Sequence, residues 1–308
     1  MVTKTFMING GAGRVLTALP ALEKYAKLHP DEDFRVVVHG FESFFFGSKA
    51  LTKRTFSANQ KGLFDEIKDS VIIQPEPYYN NNYINQRISL AEAFDEIING
   101  TEDHSDLLKP NLNLTSPERN MARQVVGDVK NQQKKNKTVV IQPFGSSFKV
   151  DQSMPEGMDE SSRSLTAKNY LYLVGKLAKK YNMIYMGEVQ LDQDQSCFKP
   201  RIDQRGWAGV IELADYFIGV DSLGQHLAYS VGTPSSVILG STFAVNISYP
   251  NTHNIIEKEG FEKEYSPIRL AQFDSHLADR LNDGVIDFSE RELDDIFTNI
   301  VKDISDKT

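Results

Sequence analysis

The chain has a single cysteine, Cys197, a single tryptophan, and no apolar run long enough to cross a bilayer. A lone thiol cannot close an intramolecular disulfide, and without CxxC pairs or His/Cys clusters the ligand sets of structural zinc sites are missing. The N-terminal apolar stretch stops after Phe6-Met7-Ile8, too soon for a signal-peptide core. These absences predict a cytoplasmic protein with no membrane insertion and no metal site. Asn-x-Ser/Thr triplets such as those at Asn113 and Asn246 are accordingly read as unglycosylated. Positive charge is also scarce: 34 Lys and Arg stand against 42 Asp and Glu, a net of −8. No global field draws the protein to nucleic acid or anionic lipid, although local basic patches remain open.

What is present is alternation. The 308 residues, 40% hydrophobic, suit two domains better than one. Val15, Leu16, Leu19, Leu22, Tyr25 and Leu28 recur at helical spacing between the strand-like runs Phe6-Met7-Ile8 and Phe34-Arg35-Val36-Val37-Val38. Val71-Ile72-Ile73 predicts a further strand, whereas the Asn-, Tyr- and acid-rich region from Pro75 to Pro117 shows no clear order beyond a helical fragment at Leu90 to Ile98. Lys130 to Lys137 is polar, basic and aperiodic, and reads as a helix end plus linker. As a nucleic-acid patch it would lack an aromatic residue to stack on a base.

A second block alternates Val139-Val140-Ile141, a helix from about Ala167 to Lys180, Met183-Ile184-Tyr185-Met186, Tyr216-Phe217-Ile218-Gly219-Val220 and Ser236-Val237-Ile238-Leu239. Continuous apolar strands alternating with helices predict an α/β fold with parallel sheets, divided into domains 1–134 and 135–308. At the end, Ser289-Glu290-Arg291-Glu292 is a capping box leading into an apolar face of Leu293, Ile296, Phe297, Ile300 and Val301.

Ligands of open parallel sheets lie beyond the carboxyl ends of the strands. Three segments fall there: Asn9-Gly10-Gly11-Ala12-Gly13-Arg14, Gln142-Pro143-Phe144-Gly145-Ser146-Ser147, and Asp221-Ser222-Leu223-Gly224-Gln225-His226. The last joins hydroxyl, imidazole and helix N–H groups in a way that suits a phosphate, with the helix terminus keeping His226 neutral. The blander alternative is that Asp221 or Ser222 caps the helix and His226 packs against its neighbours.

Asp221-Ser222-x-Gly224-x-His226-Leu227-Ala228, then Gly232-Thr233-Pro234 and Gly240-Ser241-Thr242, resembles the donor-binding half of the heptosyltransferase family of GT-B glycosyltransferases. Gly11-Ala12-Gly13-Arg14-Val15-Leu16, followed by Ala18-Leu19-Pro20-Ala21-Leu22, resembles the same family's glycine loop and first helix. The resemblance covers roughly residues 6–30 and 138–250. It implies two Rossmann-like domains facing a cleft, with a C-terminal helix crossing back to the first. A nucleoside diphosphate sugar would be the co-substrate, with no tightly bound cofactor. Ser146 and Ser147 would meet diphosphate or ribose, and Asp221, Ser222, Gly224 and His226 the phosphates and sugar. Arg163 would be the basic residue after an insertion at about Phe148 to Ser162, and Glu188 a partner for the nucleoside.

The sequence departs from the family at one position. Where the family has an aspartate acting as general base, this chain has Arg14, which stays protonated. A missing base costs about 10²–10⁴-fold, so another carboxylate is expected: Glu42 or Glu76 after neighbouring strands, with Asp95 and His104 as further substitutes. With Gly11 and Gly13, Arg14 would contact the donor diphosphate or an anionic acceptor, unless it is salt-bridged locally. Lys49, Lys53, Arg54 and Lys61 add basic charge to this half, and Phe44-Phe45-Phe46 reads chiefly as core. Asp192-Gln193-Asp194 has metal-motif spacing without supporting context and is read as a loop. The leading expectation is an inverting, metal-independent sugar transfer to a glycan-type acceptor hydroxyl. Alternatives are a phage-type DNA-base glycosyltransferase, a sugar-nucleotide epimerase and a non-catalytic nucleotide-sugar-binding protein.

Overall fold

Two all-parallel sheets organise the chain in the computed structural model, which describes residues 3–150, 157–159, 161–189, 191, 193–263, 282 and 284–308. Asp192 and part of the 148–162 insertion lie outside the described residues. The chain divides into two compact units, Met1–Leu114 and Thr115–Thr308.

The first unit runs β1 (Lys4–Ile8), α1 (Ala12–Leu28), β2 (Phe34–Val38), β3 (Thr55–Ser57), α2 (Leu63–Ile67), β4 (Val71–Ile73), α3 (Asn81–Ile84) and α4 (Leu90–Asn99). Its sheet has the order β3-β2-β1-β4. Such an order follows when right-handed crossovers step outward from a central strand. α1 is buried on nearly every face from Arg14 to Leu22, because the sheet covers one side and α4 another. A helix apolar all round is a core helix. Phe44 and Phe45 are fully buried as expected of core, while Phe46 is 56% exposed.

The second unit begins with α5 (Ser116–Gln133), followed by β5 (Thr138–Gln142), α6 (Ala167–Leu177), β6 (Asn182–Tyr185), α7 (Gln204–Leu213) and β7 (Tyr216–Val220). Then come α8 (Leu223–Val231), β8 (Ser235–Leu239), α9 (Ala244–Ile247), β9 (Asn254–Glu257) and α10 (Glu290–Lys307). The strand order is β6-β5-β7-β8-β9, and β5, β7 and β8 are buried at every position.

The division between units falls before α5, not after it. Thr115 and Glu118 form a capping box at its start, and Glu118 is also gripped by Arg205 of α7 at 2.5 and 3.0 Å. The Arg205 guanidinium holds the Glu118 carboxyl down at about 2. A second pair, Arg119–Glu212 at 2.9 Å, fastens the same two helices, so α5 belongs to this unit rather than serving as a linker. α10 starts at the predicted Ser289–Glu292 capping box and gives Leu293, Ile296, Ile300 and Ile304 to the unit's core beside α6.

Candidate functional site

At the carboxyl edge of the second sheet, the loops after β5 and β7 are tied by one amide side chain. Gln142 Oε1 accepts the Gly224 N–H at 2.7 Å, and Gln142 Nε2 donates to Ser222 Oγ at 3.1 Å. The first turn of a helix has N–H groups without intrahelical partners. Gln142 takes one of them, so while it stays in place Gly224 cannot offer its N–H to a phosphate as expected. Glycine is required there for packing: a Cβ would sit 2.4 Å from Phe217 Cζ and 2.5 Å from Gln142 Oε1.

Arg163 reaches the same edge. Its Nη1 lies 3.8 Å from Asp221 Oδ2, its Nε donates to Ser161 Oγ at 3.0 Å, and its Nη2 donates to Ser147 Oγ at 3.5 Å. The side chain is 31% exposed, so it presents positive charge to solvent beside a nearly buried carboxylate. Asp221 Oδ1 in turn accepts from Gln225 Nε2 at 3.2 Å. Ser147, Arg163, Asp221 and Ser222 are thus brought together, with exposed Ser146 in the adjoining turn. Glu188 follows β6 in an exposed loop whose carbonyl accepts from Lys199 Nζ at 2.5 Å. Among the described residues its carboxylate is not joined to the Arg163 group.

His226 turns inward. It is 5% exposed, and its Nδ1 is 2.8 Å from the Tyr249 hydroxyl, while Tyr249 stacks on Tyr229 at 3.6 Å between centroids. Burial pushes the imidazole down to about 4 and the Tyr249 phenol up. The expected neutrality therefore holds, with desolvation rather than the helix terminus as its cause.

In the first unit, Gly11, Gly13 and Arg14 follow β1, Glu42 follows β2 and Glu76 follows β4, all at the carboxyl ends of adjacent strands. Gly10 has φ +101°, and a Cβ on it would lie 2.7 Å from Arg14 Cδ, so the loop glycine makes room for the arginine of its own helix. Gly11 is the exposed N-cap of α1 and Gly13 lies in its first turn.

Arg14 is not presented to an anion. Its Nη1 and Nη2 donate to Glu76 Oε1 and Oε2 at 3.0 and 3.1 Å, and Nη2 also reaches the Pro75 carbonyl at 3.2 Å. Arg14 is 5% exposed and its guanidinium lies over the Tyr78 and Phe94 rings. Of the two readings of Arg14 the local salt bridge is the one seen, and Glu76 is its counter-ion, which makes proton abstraction by Glu76 costly because it would strand a buried cation.

Glu42 opens the short helical turn Glu42–Phe45 and is part-exposed, with no hydrogen bond or ion pair recorded for its carboxylate among the described residues. Asp95 and His104 are engaged with each other. Asp95 is fully buried and held by Lys24 at 2.9 Å, His104 at 2.8 Å and Asn99 at 2.7 Å. Lys24 lies about 15 Å beyond Arg14 along α1 by helical rise.

Two parallel α/β units, each gathering its polar groups at the carboxyl edge of its sheet, define a GT-B fold. Among solved structures, the chain is similar to a glycosyl transferase family 9 protein from Veillonella parvula, with a TM-score of 0.66 at 11% identity over 97% of each chain. It is similar to ADP-heptose LPS heptosyltransferase II of E. coli, with a TM-score of 0.62 at 10% identity over 99% of each chain. A third is the dodecameric, iron-containing E. coli heptosyltransferase TibC in complex with ADP-D-β-D-heptose. That match has a TM-score of 0.60 at 12% identity, covering 98% of this chain and 76% of that one. The expected α/β architecture, two units each built on a parallel sheet, is the one observed. No family model matches the chain, and neither does any curated protein. Among the described residues, no three His, Cys, Asp or Glu side chains come together as metal ligands, and no helix is long and apolar enough to cross a membrane.

Proposed function

We propose that the protein transfers a sugar from a nucleoside diphosphate sugar to an acceptor hydroxyl, by direct displacement with inversion. The observation that carries this reading is the meeting of Arg163, Ser147, Asp221 and the start of α8 at the carboxyl edge of the second sheet, in a fold shared with heptosyltransferases. The second unit recognises the donor. Arg163 and the α8 terminus take the charge that develops on the leaving diphosphate, which is the larger part of such catalysis. In this reading the neutralisation needs no metal. Ser146 and Ser222 offer hydroxyls to the phosphates, and Glu188 faces the nucleoside.

The first unit activates the acceptor, with Glu42 as general base. Glu42 takes the hydroxyl proton, the oxygen bonds to the anomeric carbon, and the bond from that carbon to the diphosphate breaks. Glu42 is preferred to Glu76 because its carboxylate is part-exposed and uncommitted, whereas Glu76 is occupied by Arg14.

The test is a thermal-shift screen against ADP-, GDP-, UDP- and dTDP-sugars. One of them should stabilise the wild type by about 2.7 kcal/mol at a hundred times its Kd, and Arg163→Ala should shrink that shift. If none of the four classes stabilises the protein, the reading is wrong. A second reading, nucleotide-sugar binding without transfer, draws on Arg14 standing where a base is needed; donor binding with neither transfer nor hydrolysis would identify it.

A further inference from the structure

The loop that delivers Arg163 contains a carboxylate, Asp159, that gathers three serines. Asp159 Oδ1 accepts from Ser147 Oγ at 2.8 Å, from the Ser161 N–H at 2.8 Å and from Ser161 Oγ at 2.5 Å. Its Oδ2 accepts from the Ser164 N–H at 3.0 Å and from Ser164 Oγ. Burial pushes this carboxyl up, but the hydrogen bonds from Ser161, Ser164 and Ser147 outweigh it and hold the group below its ordinary value, so it is ionised at neutral pH.

An ionised carboxylate can only accept, which fixes the direction of every bond around it. The Ser161 and Ser147 hydroxyls lie 3.0 Å from each other and both within donating distance of Asp159; with their protons turned to the carboxylate, their lone pairs accept from Arg163 Nε at 3.0 Å and Nη2 at 3.5 Å. The path of the loop is secured independently. Leu165 N donates to the Pro143 carbonyl at 3.0 Å, Ser241 N to the Ser162 carbonyl at 3.0 Å, and Ser241 Oγ to the Ser161 carbonyl at 2.6 Å. Asp159 therefore shares the backbone course with these other bonds, while the hydroxyls of Ser147 and Ser161 face it directly.

Resting on the glycosyltransferase reading, we propose that Asp159 is a positioning residue that turns Ser147 and Ser161 into acceptors and so holds the Arg163 guanidinium where the donor diphosphate binds. The test is calorimetric titration of ADP, GDP, UDP and dTDP into four forms of the full chain: wild type, Asp159→Asn, Arg163→Ala and the double variant. For the nucleotide that binds wild type, Asp159→Asn is expected to raise Kd about tenfold, and less than about twofold when Arg163 is already alanine, since neighbours acting through one group are non-additive. A residue that only supports the fold would weaken both backgrounds alike. Ser161→Ala provides the same cycle should Asp159→Asn not fold. An equal loss in both backgrounds, or no loss beside Arg163, overturns the proposal. If wild type binds none of the four nucleotides, the glycosyltransferase reading falls and takes this one with it.

Discussion

Arg14 and Glu76 show how one substitution changes the meaning of its neighbours. A buried, bidentate pair is costly to break from one side, by about 3–5 kcal/mol, because the remaining charge is stranded without water. Glu76→Gln is therefore expected to lower the denaturant midpoint sharply, whereas Arg14→Met with Glu76→Leu should be milder than either single change. Glu42→Gln should do the opposite, leaving stability within about 0.5 kcal/mol and cutting turnover about 10²–10⁴-fold. Wild-type turnover in Glu42→Gln would remove Glu42 as the base.

His226 and His253 are both pushed down to about 4 by burial. The unfolded chain then binds protons that the folded one refuses, so stability is complete above about 6.5 and declines as pH falls toward 4. His226→Gln should flatten that decline in urea titrations. The position of Arg14 at the start of the first helix was legible in the sequence. The pairing was not, since it depends on β4 lying beside β1, and an isolated Val71-Ile72-Ile73 does not announce its neighbour.

Elements buried on both faces were legible because continuous apolar runs admit few alternatives. β5, β7 and β8 are buried at every position, and α10 starts at the expected capping box. α5 was missed. Its polar sequence has only Ala122, Val126 and Val129 buried, and much of its attachment comes from Glu118 and Arg119 reaching charged residues of α7, a kind of contact that periodicity does not register. Its start signal, Thr115-Ser116-Pro117-Glu118, was present but lay at the end of an irregular Asn-rich region. Glu118→Gln should loosen α5 from α7 and show as faster amide exchange in that helix. In wild type the same attachment is complete above about 4.5 and lost as pH falls through about 2, because the folded carboxyl is held low.

At the scale of the molecule, the charge of −8 coexists with local positive groups placed where the folded chain gathers them, so bulk charge argues against a global polyanion-attracting field and says nothing of a local anion site. The two units differ in how far their sequences revealed them. The second has five strands, most of them long and apolar, and its motifs carried the resemblance. The first has four, two of them only three residues long, with Val71 64% and Ile72 46% exposed at one edge.

Gln142 has a consequence for any affinity measured on this protein. Because its amide already takes the Gly224 N–H, a diphosphate bound at that group, as proposed, would not fill an empty seat but evict a tethered rival. Observed binding would then be the difference between two occupants. Shortening the side chain with Gln142→Ala should loosen the fold by about 1–2 kcal/mol in denaturant titrations, through loss of the cap, and at the same time tighten nucleotide binding. The two effects would carry opposite signs from a single truncation.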